Sequence, residues 1–306
     1  MSMKKNEYLE PYFRDDVVSL EDFEWRITEI KGKLAKFLAN NETFKCFYRG
    51  DKFCTPTQSK IFRDDIFEIE DSLFRLWQDN CCAKKLGICQ CKPQDMGSLL
   101  CLAYMQHYCD IGTRLLDFSK DPKIALRFAC GDKEKNCSGC RKKVTIYVVE
   151  SIGVEEHPEI ENSFIKLVTS GNANRFLDEY NKKDYFIEMN QNFPRIERQN
   201  GLFLFMGNRS SDNNERQNHS TKIKHELSQS YGRGSSYEGY VGVLNIAASA
   251  VDEIRTELDK MNEYNIKYLM EGQLEDKGKC AECPIKRAVY EYKHREDKLN
   301  ESAKEV

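Results

Sequence analysis

The chain has 306 residues, 40% of them hydrophobic and including 17 Phe and 15 Tyr, enough for one large domain or two modest ones with a bulky core. Its 47 basic and 50 acidic residues nearly cancel, which excludes a blanket attraction to nucleic acid or anionic lipid but leaves a local basic patch open. No apolar run approaches the roughly 20 residues of a membrane span. The first residues (Lys4, Lys5, Glu7, Glu10) lack a signal-peptide core, and thirteen cysteines, an odd number in a long chain, suit a reducing compartment. The expectation is a cytoplasmic protein with no membrane partner.

In chain order, Leu20, Phe23, Ile27, Ile30, Leu34, Phe37 and Leu38 recur at spacings of three and four and predict an amphipathic helix, with Trp25 off its stripe. Phe44 to Gly50 predicts a short strand ending at a glycine. Residues 61–79 predict a second helix, and a cysteine-bearing break at 80–95 carries Gly87 and Pro93. Leu99 to Tyr108 and Pro122 to Ala129 predict helices, the latter with proline at a natural first-turn position. Val144 to Val149 is the clearest strand, β-branched and aromatic throughout. Residues 172–191 predict an exposed helix, and Gly201 to Met206 a buried strand. The Asn-, Ser- and Gly-rich stretch 207–238 predicts a long exposed loop, disordered or a lid. Val241 to Ile246 predicts a third strand, Val251 to Met270 one helix, and the charged tail from Lys286 a solvated helix or frayed end. Strands and helices mix without regular βαβ alternation, so the fold class is α+β, with mixed or antiparallel central sheets flanked by helices.

Two Cys-x-x-Cys pairs, Cys137/Cys140 and Cys280/Cys283, have the spacing with which two thiolates grip one tetrahedral ion. A structural zinc site from these four stands against free surface thiols, and the group Cys81, Cys82, Cys89 and Cys91 is an alternative partner for Cys137 and Cys140. Cys46, Cys54, Cys101, Cys109 and Cys130 read as small apolar fillers. No Walker A, His-Glu-x-x-His, Gly-x-Ser-x-Gly or Gly-x-Gly-x-x-Gly motif occurs. Tyr231-Gly232-Arg233-Gly234 in the polar stretch reads as a flexible turn.

Three stretches together resemble the FRG domain family. They are Phe47-Tyr48-Arg49-Gly50; then Gln106-His107-Tyr108 with Thr113-Arg114-Leu115-Leu116-Asp117-Phe118-Ser119 and Ala125-Leu126-Arg127-Phe128-Ala129; and Arg195-Ile196-Glu197-Arg198-Gln199-Asn200-Gly201-Leu202-Phe203. The resemblance spans about residues 42–272. It divides the chain into an N-terminal helical segment (1–41), the FRG domain (42–272, with the polar loop 207–238) and a Cys-containing charged tail (273–306). Cys109 for the family's glycine, Gly112 for its proline and Phe118 for its tryptophan depart from the pattern.

The order of these elements is also similar, more weakly, to ADP-ribosyltransferases. That similarity implies an ADP-ribosyltransferase-like core in which Arg49 and Gly50 meet the phosphates or ribose of NAD. Thr113 or Ser119 would shape the nicotinamide pocket, Arg114 would be a further cofactor-binding residue, and Glu197 with Gln199 would stand where the family carries its catalytic dyad. Arginine suits a pyrophosphate because its planar fork keeps its charge at every relevant pH. A carboxylate near the ribose carbon would stabilise an oxocarbenium-like transition state. Gln199 holds no charge, so either Glu197 takes that role or the site binds without turnover.

Each residue has a plainer reading. Arg49 pairs structurally with Asp117 or a carbonyl, Asp117 then holding it in orientation. His107 is a core histidine or a pocket acid/base, since imidazole titrates near neutrality. Arg114 and Asp117 pair with each other if their segment is helical, and Glu197 and Gln199 share an exposed face if theirs is extended. The implied function is NAD binding with ADP-ribosyl transfer or NAD hydrolysis, toward an unknown macromolecular acceptor or water, in a toxin or phage-defence setting. The alternatives are a non-catalytic module recognising a nucleotide or nucleic acid, and a zinc-stabilised partner-binding scaffold.

Overall fold

The computed structural model describes residues 5–37, 44–51, 59–63, 66, 69–70, 72–73, 76, 102–103, 105–107, 112–131, 142–150, 185–187, 194–205, 239–270 and 284–294. In chain order these form α1 (Lys5–Arg14), α2 (Leu20–Phe37), β1 (Phe44–Asp51), α3 (Lys60–Arg63), β2 (Leu115–Ser119), α4 (Pro122–Cys130) and β3 (Lys142–Glu150). There follow β4 (Tyr185–Ile187), α5 (Pro194–Arg198), β5 (Gly201–Phe205), β6 (Gly239–Ile246), α6 (Val251–Lys260), a 3-10 turn (Asn262–Tyr264), α7 (Ile266–Met270) and α8 (Pro284–Lys293).

The strands form one six-stranded sheet in the order β4-β5-β2-β1-β3-β6, and every neighbouring pair is antiparallel. The class is therefore α+β, with a single antiparallel sheet among the described residues. On one face Tyr48, Val144, Ile146, Leu244 and Ile246 pack with Phe23, Ile27 and Ile30 of α2, Leu126 and Ala129 of α4, and Ile254 and Leu258 of α6. Each large side chain buried this way contributes about 1.5–3 kcal/mol relative to exposure. The α2 stripe falls at the expected three-four spacing, and Trp25 is exposed.

The N-terminal helices are tied to this core. The Ser19 hydroxyl accepts the Asp22 amide at 3.0 Å and the Asp22 carboxylate accepts the Val18 amide at 3.0 Å, a reciprocal cap on α2. Arg26 is buried, bonded to Asp22 at 2.8 Å and to the carbonyls of Tyr12 (3.0 Å) and Asp15 (2.6 Å), so it latches the α1–α2 turn. Val17 lies along the outer edge of β6, donating to the Asn245 carbonyl at 2.7 Å and accepting from the Ala247 amide at 2.9 Å. This contact covers a sheet edge that would otherwise present unpaired backbone.

Several expectations are corrected. Tyr185–Ile187, expected within an exposed helix, is an edge strand paired with Phe203, Leu204 and Phe205. Phe186 lies between Phe47 and Phe118, with ring centroids at 5.0 and 5.2 Å. Aromatic packing against side chains of β1 and β2 outweighs the helical character of the surrounding sequence. The single helix expected over Val251–Met270 is broken at Met261 and Asn265, both extended. Asn265 stabilises the break: its amide donates to the Asp259 carbonyl at 2.9 Å and its side-chain oxygen accepts the Lys267 amide at 2.9 Å. Glu197 and Gln199 do not share a strand, because residues 194–198 are helical and 199–200 a turn. Arg114 and Asp117 are not a helical pair either, since Asp117 belongs to β2. The expected loop 207–238, the break at 80–95 and most of the expected helix 61–79 lie outside the described residues. Among the described residues no helix is long and apolar enough to cross a membrane.

Candidate functional site

β1 pairs with β3 over its whole length but meets β2 at one register pair, Tyr48 with Ser119. At this fork lies a cavity of about 320 Å³, walled by β1 (Tyr48 to Asp51), β2 (Asp117 to Ser119), α4 (Ile124, Ala125, Phe128) and Arg195, Gln199 and Met270. Arg49 donates through Nη1 to the backbone carbonyl of Asp117 at 2.7 Å and through Nε to Asp51 Oδ1 at 3.1 Å. Residues i and i+2 of a strand share a face, which puts Asp51 beside Arg49. Among the described residues Nη2 of Arg49 has no protein partner.

Gly50 is where β1 and α4 come closest. A Cβ there would overlap the Ala125 carbonyl oxygen and lie 2.6 Å from the Ala129 nitrogen, so only glycine permits the contact. α4 begins at the cavity. Asp121 caps it, accepting the Lys123 amide at 2.8 Å, and Pro122 opens its first turn. Gly131, at φ 63°, closes it. At its far end Arg127 grips Asp259 with two bonds of 2.9 and 3.1 Å, tying α4 to α6.

Gln106, His107 and residues 113–117 form a relay leading into the cleft. The Thr113 hydroxyl donates to Gln106 Oε1, and Gln106 Nε2 donates to Asp117 Oδ1 at 2.8 Å. Buried His107 places Nε2 3.7 Å from the same oxygen and its ring 5.8 Å from that of Phe203. Arg114 is buried with Nε 2.6 Å from Glu70 Oε2, its guanidinium over the Phe205 ring. Thr113, Arg114 and His107 are thus positioned around the cleft rather than among its lining residues.

Of the sequence candidates, Arg49, Gly50, Ser119 and Gln199 line the cavity, and Glu197 is exposed and does not. The Ser119 hydroxyl donates to the Gln199 carbonyl at 2.8 Å and accepts the Asp121 amide at 3.0 Å. The Gln199 amide donates to the Leu269 carbonyl at 3.0 Å, pinning α7 to the cleft. Asp117 does steady Arg49, but through its carbonyl; the carboxylate that pairs with Arg49 is Asp51. Asp51, Arg195, Phe128 and Met270 were not singled out from sequence. The i, i+2 spacing from Arg49 to Asp51 and the helical i, i+4 spacing from Arg195 to Gln199 were the available signals.

Burial raises the Tyr48 hydroxyl above its ordinary range, with Cys46 and Asp121 adding to the shift, so it stays neutral. Cys46 is half-buried and Cys130 buried, in keeping with their reading as fillers. Cys137, Cys140, Cys280 and Cys283 lie outside the described residues, and among the described residues no group of three His, Cys, Asp or Glu could hold a metal.

An α+β protein with an arginine-lined cleft at the fork of an antiparallel sheet is the class that fold and site define. The FRG domain family matches residues 45–138, from β1 through α4, so the chain carries an FRG domain. No curated protein and no solved structure matches the chain significantly.

Proposed function

We propose that this cleft binds NAD, with a phosphate against Arg49 and a flat ring on the apolar wall of Ile124, Ala125 and Phe128. The reaction such binding serves is cleavage of the nicotinamide–ribose bond, with ADP-ribose passed to a macromolecular acceptor or to water. Depletion of cellular NAD or modification of a target by that reaction would suit a toxin or a phage-defence factor. One observation carries the reading. Arg49 is oriented by Asp51 and the Asp117 carbonyl, yet keeps Nη2 without a protein partner among the described residues, at the wall of a 320 Å³ cavity. Fixed guanidinium forks suit phosphate oxygens. The volume lies near the lower end of small-molecule sites, roughly 300–1,000 Å³, and suits one half of a dinucleotide. Arg49 and Arg195 are balanced by Asp51 and Asp117 along the walls. That balance favours a small ligand of mixed polarity over a nucleic-acid strand, which needs several unopposed cations.

A second reading, nucleotide binding without turnover, is favoured by the dyad. Glu197 is exposed outside the cavity lining, and the Gln199 amide is engaged with the Leu269 carbonyl. The two are separated by incubating the purified chain with NAD labelled in the nicotinamide ring, measuring release and, by calorimetry, binding. Release that disappears in Arg49→Ala supports the enzyme. Binding without release supports the module, and no NAD binding at all defeats both.

A further inference from the structure

Asp117 joins two recognition groups in one residue. Its backbone carbonyl receives Arg49 Nη1, so the phosphate-seeking guanidinium sits against its main chain. Its carboxylate lines the same cavity and its side chain is 47% exposed. Oδ1 is held by Gln106 Nε2 at 2.8 Å, Gln106 being itself fixed by the Thr113 hydroxyl, with His107 Nε2 at 3.7 Å behind it. Among the described residues Oδ2 has no hydrogen-bond partner. The other carboxylate of the lining, Asp51, is 6% exposed and bound to Arg49. Asp117 is therefore an oriented acceptor with one oxygen facing no protein donor among the described residues, and its own carbonyl holds the cationic fork.

Resting on the nucleotide reading above, we infer that Asp117 is the ribose-recognising residue of the cleft and selects ligands carrying a vicinal diol beside a phosphate. A ligand that satisfies both groups must present an anion and hydroxyl donors separated by a short linker. A ribose 5'-phosphate does so, with its diol and phosphate held apart by the sugar ring and one methylene. Carboxylates serve this purpose for dinucleotides elsewhere, accepting ribose hydroxyls beside a phosphate site. A sugar lacking the diol leaves the charged acceptor without a donor, and hydrogen bonds to charged groups are among the stronger ones.

The test compares NAD by calorimetry with two analogues, one lacking both hydroxyls on the adenosine ribose and one lacking them on the nicotinamide ribose. Wild type should bind one analogue about tenfold more weakly than NAD, equivalent to about 1.4 kcal/mol. Asp117→Ala should bind NAD and that analogue equally. Its bond to Arg49 uses the backbone, so the cleft should persist, and thermal melting checks this. If Asp117→Ala does not fold, Asp117→Asn, which keeps an oxygen to receive Gln106, should shrink the discrimination at least threefold. Both analogues binding like NAD to wild type would overturn the inference and leave NAD binding standing. So would discrimination that survives a folded variant at position 117. No binding of NAD to wild type removes the nucleotide reading and this inference with it.

Discussion

Arg49 donates from Nη1 to the backbone carbonyl of Asp117 at 2.7 Å, across 68 positions of sequence. β1 and β2 share one register pair, and this side chain continues their connection where the backbones part. The cleft and Arg49 are one feature, because the strand separation that opens the cavity is bridged by the guanidinium.

Replacing Arg49 should therefore weaken both the fold and the cleft. Arg49→Lys keeps the charge but cannot serve Asp51 and the Asp117 carbonyl at once, and should cost about 1–2 kcal/mol in urea unfolding. Arg49→Ala leaves largely buried Asp51 without its guanidinium and should cost about 3 kcal/mol. A lysine variant with wild-type stability and NAD affinity would show that the fork geometry is unimportant.

Gly50→Ala tests the approach of β1 to α4. The new methyl would meet backbone of Ala125 and Ala129 rather than a movable side chain. The expected loss is about 3 kcal/mol or more, seen as a lower urea midpoint or loss of soluble protein. A variant that melts with wild type would mean that the two elements separate at little cost.

Asp259→Ala should destabilise the far end of α4. It leaves the Arg127 guanidinium, 2% exposed, without its bidentate partner, and also removes an acceptor from the Ile266 amide. Breaking a buried pair from one side costs about 3–5 kcal/mol, and the partial exposure of Asp259 places this case at the lower end. Arg127→Met, which removes the buried charge itself, should restore part of the loss in the double variant.

Burial pushes the Cys130 thiol up to about 12, although Arg127, Arg255 and Lys142 pull it down. Its ordinary value is 9.0, so the neutral thiol's contribution to stability is complete below pH 9 and is lost as pH rises from 9 to 12. At pH 8 iodoacetamide should label the Cys130 peptide far more slowly in native protein than in urea, as read by mass spectrometry, because the thiolate is the nucleophile. Equal labelling in both states would contradict the burial.

What the sequence alone determined is what short-range pattern encodes. The stripe of α2 declares itself at spacings of three and four. β1, β3, β5 and β6 follow from runs of β-branched and aromatic residues, and α4 from Pro122 at its start. Together these establish the α+β class, and Phe47-Tyr48-Arg49-Gly50 with the 106–129 stretch marks the FRG domain. Arg49, Gly50, Ser119 and Gln199 were also legible as candidates, since strand and turn termini are where such residues carry chemistry.

Tertiary structure decided their partners. Asp51 rather than the Asp117 carboxylate neutralises Arg49, Gln199 turns its amide to Leu269, Arg114 goes to Glu70, and three aromatic residues make an edge strand of 185–187. Each of these choices except Asp51 joins residues distant in the chain, and hydrophobic periodicity carries no information about which distant backbone will supply an acceptor. Only the folded sheet brings Asp117 beside Arg49 and turns a family motif into a cleft.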